Sequence, residues 1–482
     1  MPPSFDNNRS TTNVSAVLSS TVVGSTQSFE ILEKTDHLAE CENGGYDVQV
    51  ETTPHSAVND PPDGGWRAWL TIAGAWMIQF STFGHVSAFG VYQAFYTRDF
   101  LSYKSASEIS WIGSVQLFLL YAPGVLVGRA FDAGYFHHTN AIGSVIYVFS
   151  MFMHSLVKPH QYYQVFLAQG LGVGLGQGIL FLPSLSIVSH HFKNRRALAT
   201  GIVVTGASVG GIVFPIMLNR LFAHGDGGFV LGVQVSAACV TGLLVVANLI
   251  MRVGKGRGRS AGGRGMGAKG GGPAGSNGLP VDLKGIIRDW AYVSSICGAF
   301  LTNIGLFFPF FYMQLFAEQH GVNENLSFYS LAILNGGSIL GRLVPPFLAD
   351  RVGVYNMILP CMLISSTMVF AIFGAGSVGG LIGVGGVFGF FSGAYVSLIP
   401  SLLVMMSRHM GELGVRMGIA FTIVGLAMLI GTPIEGALLG TNTEYSWWRG
   451  ITFSGVCISM GCCMMLLSRI LFVRSRGKGW FV

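Results

Sequence analysis

The spacing of charges constrains this chain more than any other feature. Eleven apolar intervals contain no Asp, Glu, Lys or Arg: 68–97, 109–128, 133–157, 159–192, 197–219, 227–251, 290–317, 325–341, 352–407, 417–434 and 450–468. A helix crosses the roughly 30 Å hydrocarbon core of a bilayer with about 20 mostly apolar residues. The interval 352–407 is too long for one helix, and the cluster Gly374-Ala-Gly-Ser-Val-Gly-Gly380 reads as a turn inside it. Twelve spans are therefore expected. The apolar pattern of 325–341 continues past Arg342 to Leu348, which makes Arg342 a charge inside a span. The runs are apolar on all faces, whereas barrel strands would alternate over segments of about ten residues. The expected fold is an all-α integral membrane protein, its twelve transmembrane helices arranged as two pseudo-symmetric six-helix bundles. A charged fraction of 10% and a mean hydropathy of +0.55 agree, since soluble proteins carry about 25% charged residues. This composition excludes a cytosolic enzyme and a nucleic-acid binder.

Sidedness follows from Lys and Arg in the loops. With both termini in the cytosol, 22 of the 28 fall on the cytosolic side and 5 on the other, with Arg342 in a span. Residues 1–62 are polar and acidic and read as a disordered cytosolic tail. Residues 63–251 form the first bundle, 252–289 a Gly/Arg-rich cytosolic linker, 290–472 the second bundle and 473–482 a cytosolic tail. The expected membrane is the plasma membrane, with a vacuolar or other organelle membrane as the alternative. The halves read as repeats: Gly124-Val-Leu-Val-Gly128-Arg129 is matched to Gly337-Ser-Ile-Leu-Gly341-Arg342. Each is followed by an acidic residue, Asp132 or Asp350, and then by Gly134 or Gly353. Duplicated halves are common in transporters, whose site lies between them near the midplane. The seven cysteines have no metal-ligand spacing, and the adjacent pairs His137-His138 and His190-His191 do not converge on one helix face. No catalytic residue, cofactor or metal is expected.

Two further motifs stand out. Asp63-Gly64-Gly65-Trp66, followed by Trp69, places aromatic rings at headgroup depth before span 1. Phe192-Lys193-Asn194-Arg195-Arg196, followed by Gly201, Gly206 and Gly210, joins a basic loop to a smooth helical stripe suited to close packing. With these signatures the sequence resembles the monocarboxylate transporter family, fungal branch, of the major facilitator superfamily, over about residues 62–472. The stretches Gly128-Arg129-x-Phe131-Asp132 and Leu348-Ala-Asp350-Arg351-x-Gly353 are similar to that superfamily's loop motif after spans 2 and 8. The resemblance implies alternating access and secondary active or facilitative movement of a small organic anion, with protons as a possible co-substrate. Riboflavin or a secondary metabolite is the alternative solute, and a transport-inactive membrane sensor the alternative role. Mammalian members of this family carry a Lys in span 1 and an Asp four residues before the span-8 Arg. Here span 1 offers His85, and Ser338 occupies the second position.

Arg342 is the foremost candidate. A cation at mid-membrane costs about 2.5–3.5 kcal/mol on insertion scales, and a guanidinium facing a cavity can bind a carboxylate bidentately. His85, Asn303, Tyr312, Gln314, Gln116 and Tyr395 are further substrate-binding candidates. Glu435 and His85 are candidates for proton coupling. Arg129, Asp132, Asp350 and Arg351 are expected to make gate and loop contacts.

Overall fold

The computed structural model describes residues 64–225, 227–253, 283–322, 324–407, 412–440 and 446–476. The tail expected over 1–62, most of the linker expected over 252–289 and the last residues of 473–482 lie outside them. The described residues contain helices and no strand. In chain order the rods are α1 (Trp66–Gln79, then Phe80–Gly84, Phe89–Phe95 and Tyr96–Phe100), α2 (Ala106–Tyr121 and Gly124–Asp132), α3 (Phe136–Ser155) and α4 (Tyr162–Val165, Phe166–Val173 and Gly174–Ser186). They continue with α5 (Arg196–Phe222), α6 (Gly228–Ile250), α7 (Trp290–Leu306 and Phe308–Gln319) and α8 (Glu324–Gly341 and Val344–Val352). The last four are α9 (Val354–Ala371), α10 (Val378–Met406), α11 (Leu413–Leu439) and α12 (Trp447–Arg476).

Ten of these rods are long and apolar enough to cross a bilayer. The other two, α1 and α3, are helical but more polar: α1 carries Gln79, Ser81, Thr82 and His85, and α3 carries His137, His138, Asn140 and His154. The turn expected at 374–380 is present. A single 3-10 turn, Ile372–Gly374, follows α9, and Ser377 caps α10 by accepting from the Gly380 N–H at 3.1 Å.

Packing repeats between the halves. In the first half α1 touches α5 and α6, α3 touches α4 and α6, and α2 touches α4; in the second, α7 touches α11 and α12, α9 touches α10 and α12, and α8 touches α10. The halves meet through α2 against α11 and α5 against α8, which is one contact made twice under the same pseudo-twofold relation. Leu126, Val145, Phe149, Leu249, Leu340 and Ile470 stand exposed on the outside of the rods. Apolar rods with every backbone bond satisfied internally belong in lipid. Trp66 and Trp290, each 70% exposed, begin α1 and α7 and are suited to the headgroup layer.

One sequence alignment is corrected. Gly124 and Gly128 lie against the backbone of Gly418 and Gly414 on α11, across the boundary between halves, whereas Gly337 and Gly341 lie against Gly386 and Phe390 on α10, within their own half. The two Gly-x-x-x-Gly-Arg stretches are therefore not equivalent. The equivalent landmarks are the helix breaks, Ala122–Pro123 in α2 and Arg342–Leu343 in α8. Gly134 and Gly353, which follow Asp132 and Asp350, are equivalent as well, and both hold positive φ (86° and 104°) that a side chain would strain.

Small residues let these backbones approach. A Cβ on Gly341 would meet the Phe390 carbonyl oxygen, whereas Gly336 faces open space. Overpacking costs about 1–3 kcal/mol. Gly341→Val should therefore lower the thermal midpoint of the detergent-purified protein, and Gly336→Ala should leave it in place. Equal midpoints for the two variants would contradict the close α8–α10 contact.

Candidate functional site

Seven rods converge on one central cavity: α1, α2, α4 and α5 from the first half and α8, α10 and α11 from the second. Its volume is about 30 Å³, room for water but not for an organic solute. Its lining includes Gln79, Phe83, Tyr121, Phe181, Val204, Arg342, Pro400 and Phe421. The rings form a continuous wall: Tyr121 lies 5.1 Å from Phe181 and 5.8 Å from Phe421, and Phe181 lies 5.7 Å from Phe421. Gln79 donates to Ser184 Oγ at 2.8 Å, tying α1 to α4 beside that wall.

Arg342 sits at the break in α8, 2% exposed, and is the one charged side chain in the lining among the described residues. Its Nη1 donates to the Val204 carbonyl oxygen of α5 at 2.7 Å, and its Nε has no partner among the described residues. No ion pair of the described residues includes it. Ser338, one turn earlier on α8, accepts from Ser208 Oγ of α5 at 3.1 Å. A guanidinium with spare donors, framed by aromatic faces, can hold a carboxylate and stack an apolar body against it.

The remaining candidates lie elsewhere. His85 is buried inside the first half, where its Nδ1 meets Gln177 Nε2 at 3.4 Å; Gln116 donates to the same Gln177 at 3.2 Å. Asn303 donates to the Ala299 carbonyl oxygen and to Tyr395 Oη at 3.1 Å, linking α7 to α10. Tyr312 donates to the Thr432 carbonyl oxygen at 3.3 Å, and Gln314 is exposed. Glu435 is fully buried between α11 and α12. Its Oε1 accepts from Ser454 at 3.0 Å, and its Oε2 has no partner among the described residues. None of these seven candidates belongs to the cavity lining.

Of the four gate candidates, Asp132 and Asp350 each bridge the two halves, whereas Arg129 and Arg351 do not among the described residues. The two carboxylate oxygens of Asp132 accept from the N–H groups of Gly414 and Val415 at 2.9 and 3.0 Å. Those of Asp350 accept from Ala197 and Leu198 at 2.9 and 3.0 Å. Each carboxylate thus caps the first turn of a helix from the other half, where orphan N–H groups and the helix dipole favour an anion. These two clamps close the protein at the face that carries Arg252 and Asp289, called the linker face below. Arg129 is exposed, and Arg351 is exposed over the Phe347 ring at 4.7 Å.

The Major Facilitator Superfamily model matches residues 70–432. The chain belongs to this superfamily. It is similar to the aspyridones efflux protein apdF of Emericella nidulans, 34% identical over 440 residues that cover 90% of this chain and 84% of the relative. It is also similar to the agnestins efflux protein AgnL12 of Paecilomyces divaricatus, 34% identical over 405 residues (84% of this chain, 88% of the relative). The fujikurins efflux protein of Gibberella fujikuroi is 33% identical over 433 residues (89% and 88%). The protein is thus a multi-pass membrane transporter of the major facilitator superfamily and not an enzyme.

Sequence reasoning missed the transporter's aromatic wall and Gln79. The lining pairs Gln79/Phe83, Phe181/Leu185 and Val396/Pro400 do repeat at i, i+4 on their rods, but apolar rods carry no polar face to show which side points inward. It also missed Arg416, which is buried at the linker face. Arg416 pairs with Asp289 at 3.2 Å and Glu412 at 3.1 Å over the Tyr292 ring.

Proposed function

We propose that the transporter exports a small organic acid with an aromatic or otherwise apolar body, of the secondary-metabolite class. One observation carries this reading: a lone buried guanidinium, without a carboxylate partner among the described residues, in a cavity otherwise lined by four aromatic rings, aliphatic side chains and Gln79. With Ser338 where mammalian members of the similar family have an Asp, the substrate's own carboxylate is the counter-ion. Binding exchanges the Val204 carbonyl oxygen for two charge-assisted bonds, and the rings hold the body of the solute. The organic-anion part of the reading is supported by the Asp63–Trp66 and Phe192–Gly210 signatures, and the export part by relatives named for efflux. A volume of about 30 Å³ belongs to a closed stage of alternating access. The two clamps release at the linker face to admit solute, and the cavity then opens on the opposite face. The 22-to-5 bias in Lys and Arg supports a cytosolic linker face with both termini inside.

Charge selectivity tests this reading. In proteoliposomes loaded with a panel of aromatic monocarboxylates, with hippurate as the standard, counterflow of each acid should exceed that of its methyl ester by at least about tenfold, since losing one charged hydrogen-bonding partner costs about 1.5–3 kcal/mol. Esters carried as well as acids, at matched passive leak, would refute the proposal.

A further inference from the structure

The first half contains a second polar feature, separate from the cavity. Along its interior runs a file of buried groups from α1, α3 and α4: Gln177, His85, Tyr92, His154, Tyr96 and Gln169. Gln177 Nε2 contacts His85 Nδ1 at 3.4 Å. The His85 ring lies 5.9 Å from Tyr92, and Tyr92 lies 5.4 Å from His154. Tyr96 donates to Gln169 Oε1 at 2.6 Å, so its oxygen accepts from His154 Nε2 at 2.7 Å. Four polar atoms of the file have no partner among the described residues: His85 Nε2, Tyr92 Oη, His154 Nδ1 and Gln169 Nε2. An isolated orphan of this kind is rare in a folded protein, and a row of them needs a reason. The other titratable side chains beside the file, among the described residues, are Tyr147 of α3, which bonds Gln177 and the Ser81 carbonyl oxygen, and the Cys239 thiol of α6 near Tyr147. The faces of α5 and α6 that pack against the file present Phe214, Phe222 and Phe229.

The backbone is irregular at the same place. α1 passes through the π-helical turn Phe80–Gly84, breaks into a turn at Ser87–Ala88, and resumes at Phe89 with Tyr92 and Tyr96 on the far segment. Such bulges and breaks are positions where a helix bends. A bend there would change the separation of His85 from Tyr92 and His154 and would give water a way in.

We propose that this file is a proton site, in which His85 and His154 share one proton on either side of Tyr92. Water entering at the Tyr96 end delivers the proton to His154 Nδ1. That ring becomes an imidazolium; when the 3.4 Å contact between Gln177 Nε2 and His85 Nδ1 parts, water carries the proton from His154 Nδ1 to His85 Nδ1, the ring nitrogen that holds a lone pair, returning His154 to neutral. No carboxylate faces either ring among the described residues, so the charged form requires water. Proton binding is thereby tied to the bent, water-filled shape of α1, while Arg342 handles the solute in the cavity. The inference rests on the carrier reading above and adds the coupling ion to it.

Two measurements test the inference, and only the second needs a solute. First, the 15N signals of the histidine rings are followed in proteoliposomes from pH 4 to 8, assigned by their loss in His85→Gln and His154→Gln. Both rings are expected to titrate, and removing either one should shift the midpoint of the other by at least about half a pH unit. Two rings that stay neutral throughout, or that titrate independently, overturn the proton site whatever the solute. Second, hippurate accumulation driven by a pH gradient is compared with hippurate counterflow. His154→Gln should lose at least tenfold in accumulation with counterflow within twofold of wild type, and accumulation within twofold of wild type overturns the coupling role. Wild-type protein that shows no counterflow with any acid of the panel refutes the substrate reading and leaves the histidine titration to decide the proton site.

Discussion

Arg342→Ala will reduce acid transport by at least about 30-fold at equal surface density, and Arg342→Lys will retain part of it. Truncating one member of a buried, hydrogen-bonded charge pair costs about 2–5 kcal/mol, and every 1.4 kcal/mol is tenfold. The alanine variant leaves a carboxylate among Phe83, Tyr121, Phe181 and Phe421 with no cation to meet it. Lysine restores the charge but not the planar fork, so it supports one strong bond in place of two. The measurement is flux per molecule at the membrane, with surface labelling to separate transport from folding. Because Nη1 also ties α8 to Val204 of α5, the alanine variant should lose some thermal stability as well. Wild-type flux in Arg342→Ala would remove the guanidinium from the substrate site.

Loosening the clamps will have the second large effect, this time on shape. Asp132→Asn and Asp350→Asn each replace a carboxylate that takes two N–H groups at 2.9–3.0 Å at a helix start. A partly buried anion in that position contributes up to about 2 kcal/mol. Each variant should therefore shift the balance toward an open linker face by about tenfold, and the double variant by about a hundredfold, since the clamps share no partner. Spin labels on Arg129→Cys and Ser407→Cys, at the linker-face ends of α2 and α10, read the shift as a longer distance population. An unchanged distribution in the double variant would mean that the Gly128–Gly414 and Gly201–α8 contacts alone hold that face shut.

The charge-free intervals revealed the rods because lipid forbids isolated charges, so the boundaries are written in composition. Arg342 was legible for the same reason: a cation inside such an interval needs a purpose. Asp132 and Asp350 were visible as repeated landmarks because each is followed by a glycine with positive φ, a backbone demand that survives in the sequence. The Gly-x-x-x-Gly-Arg match misled, because a small-residue stripe says that something packs closely and not what. One stripe serves α11 and the other serves α10. Phe83, Tyr121, Phe181 and Phe421 stayed hidden because a phenyl ring facing a cavity and one facing lipid look alike in a rod that is apolar all round. His154 escaped notice as a single polar residue near the end of α3, although Tyr147 two turns earlier on the same face was a sign of a polar stripe.

The doubled contact, α2 on α11 and α5 on α8, makes the chain resemble a symmetric dimer folded into one polypeptide, in which each partner lends a carboxylate to the other. In such an isologous arrangement a rotation that separates one contact separates its twin in the same movement. The two clamps are accordingly expected to open together, so that weakening either aspartate shifts one shared equilibrium.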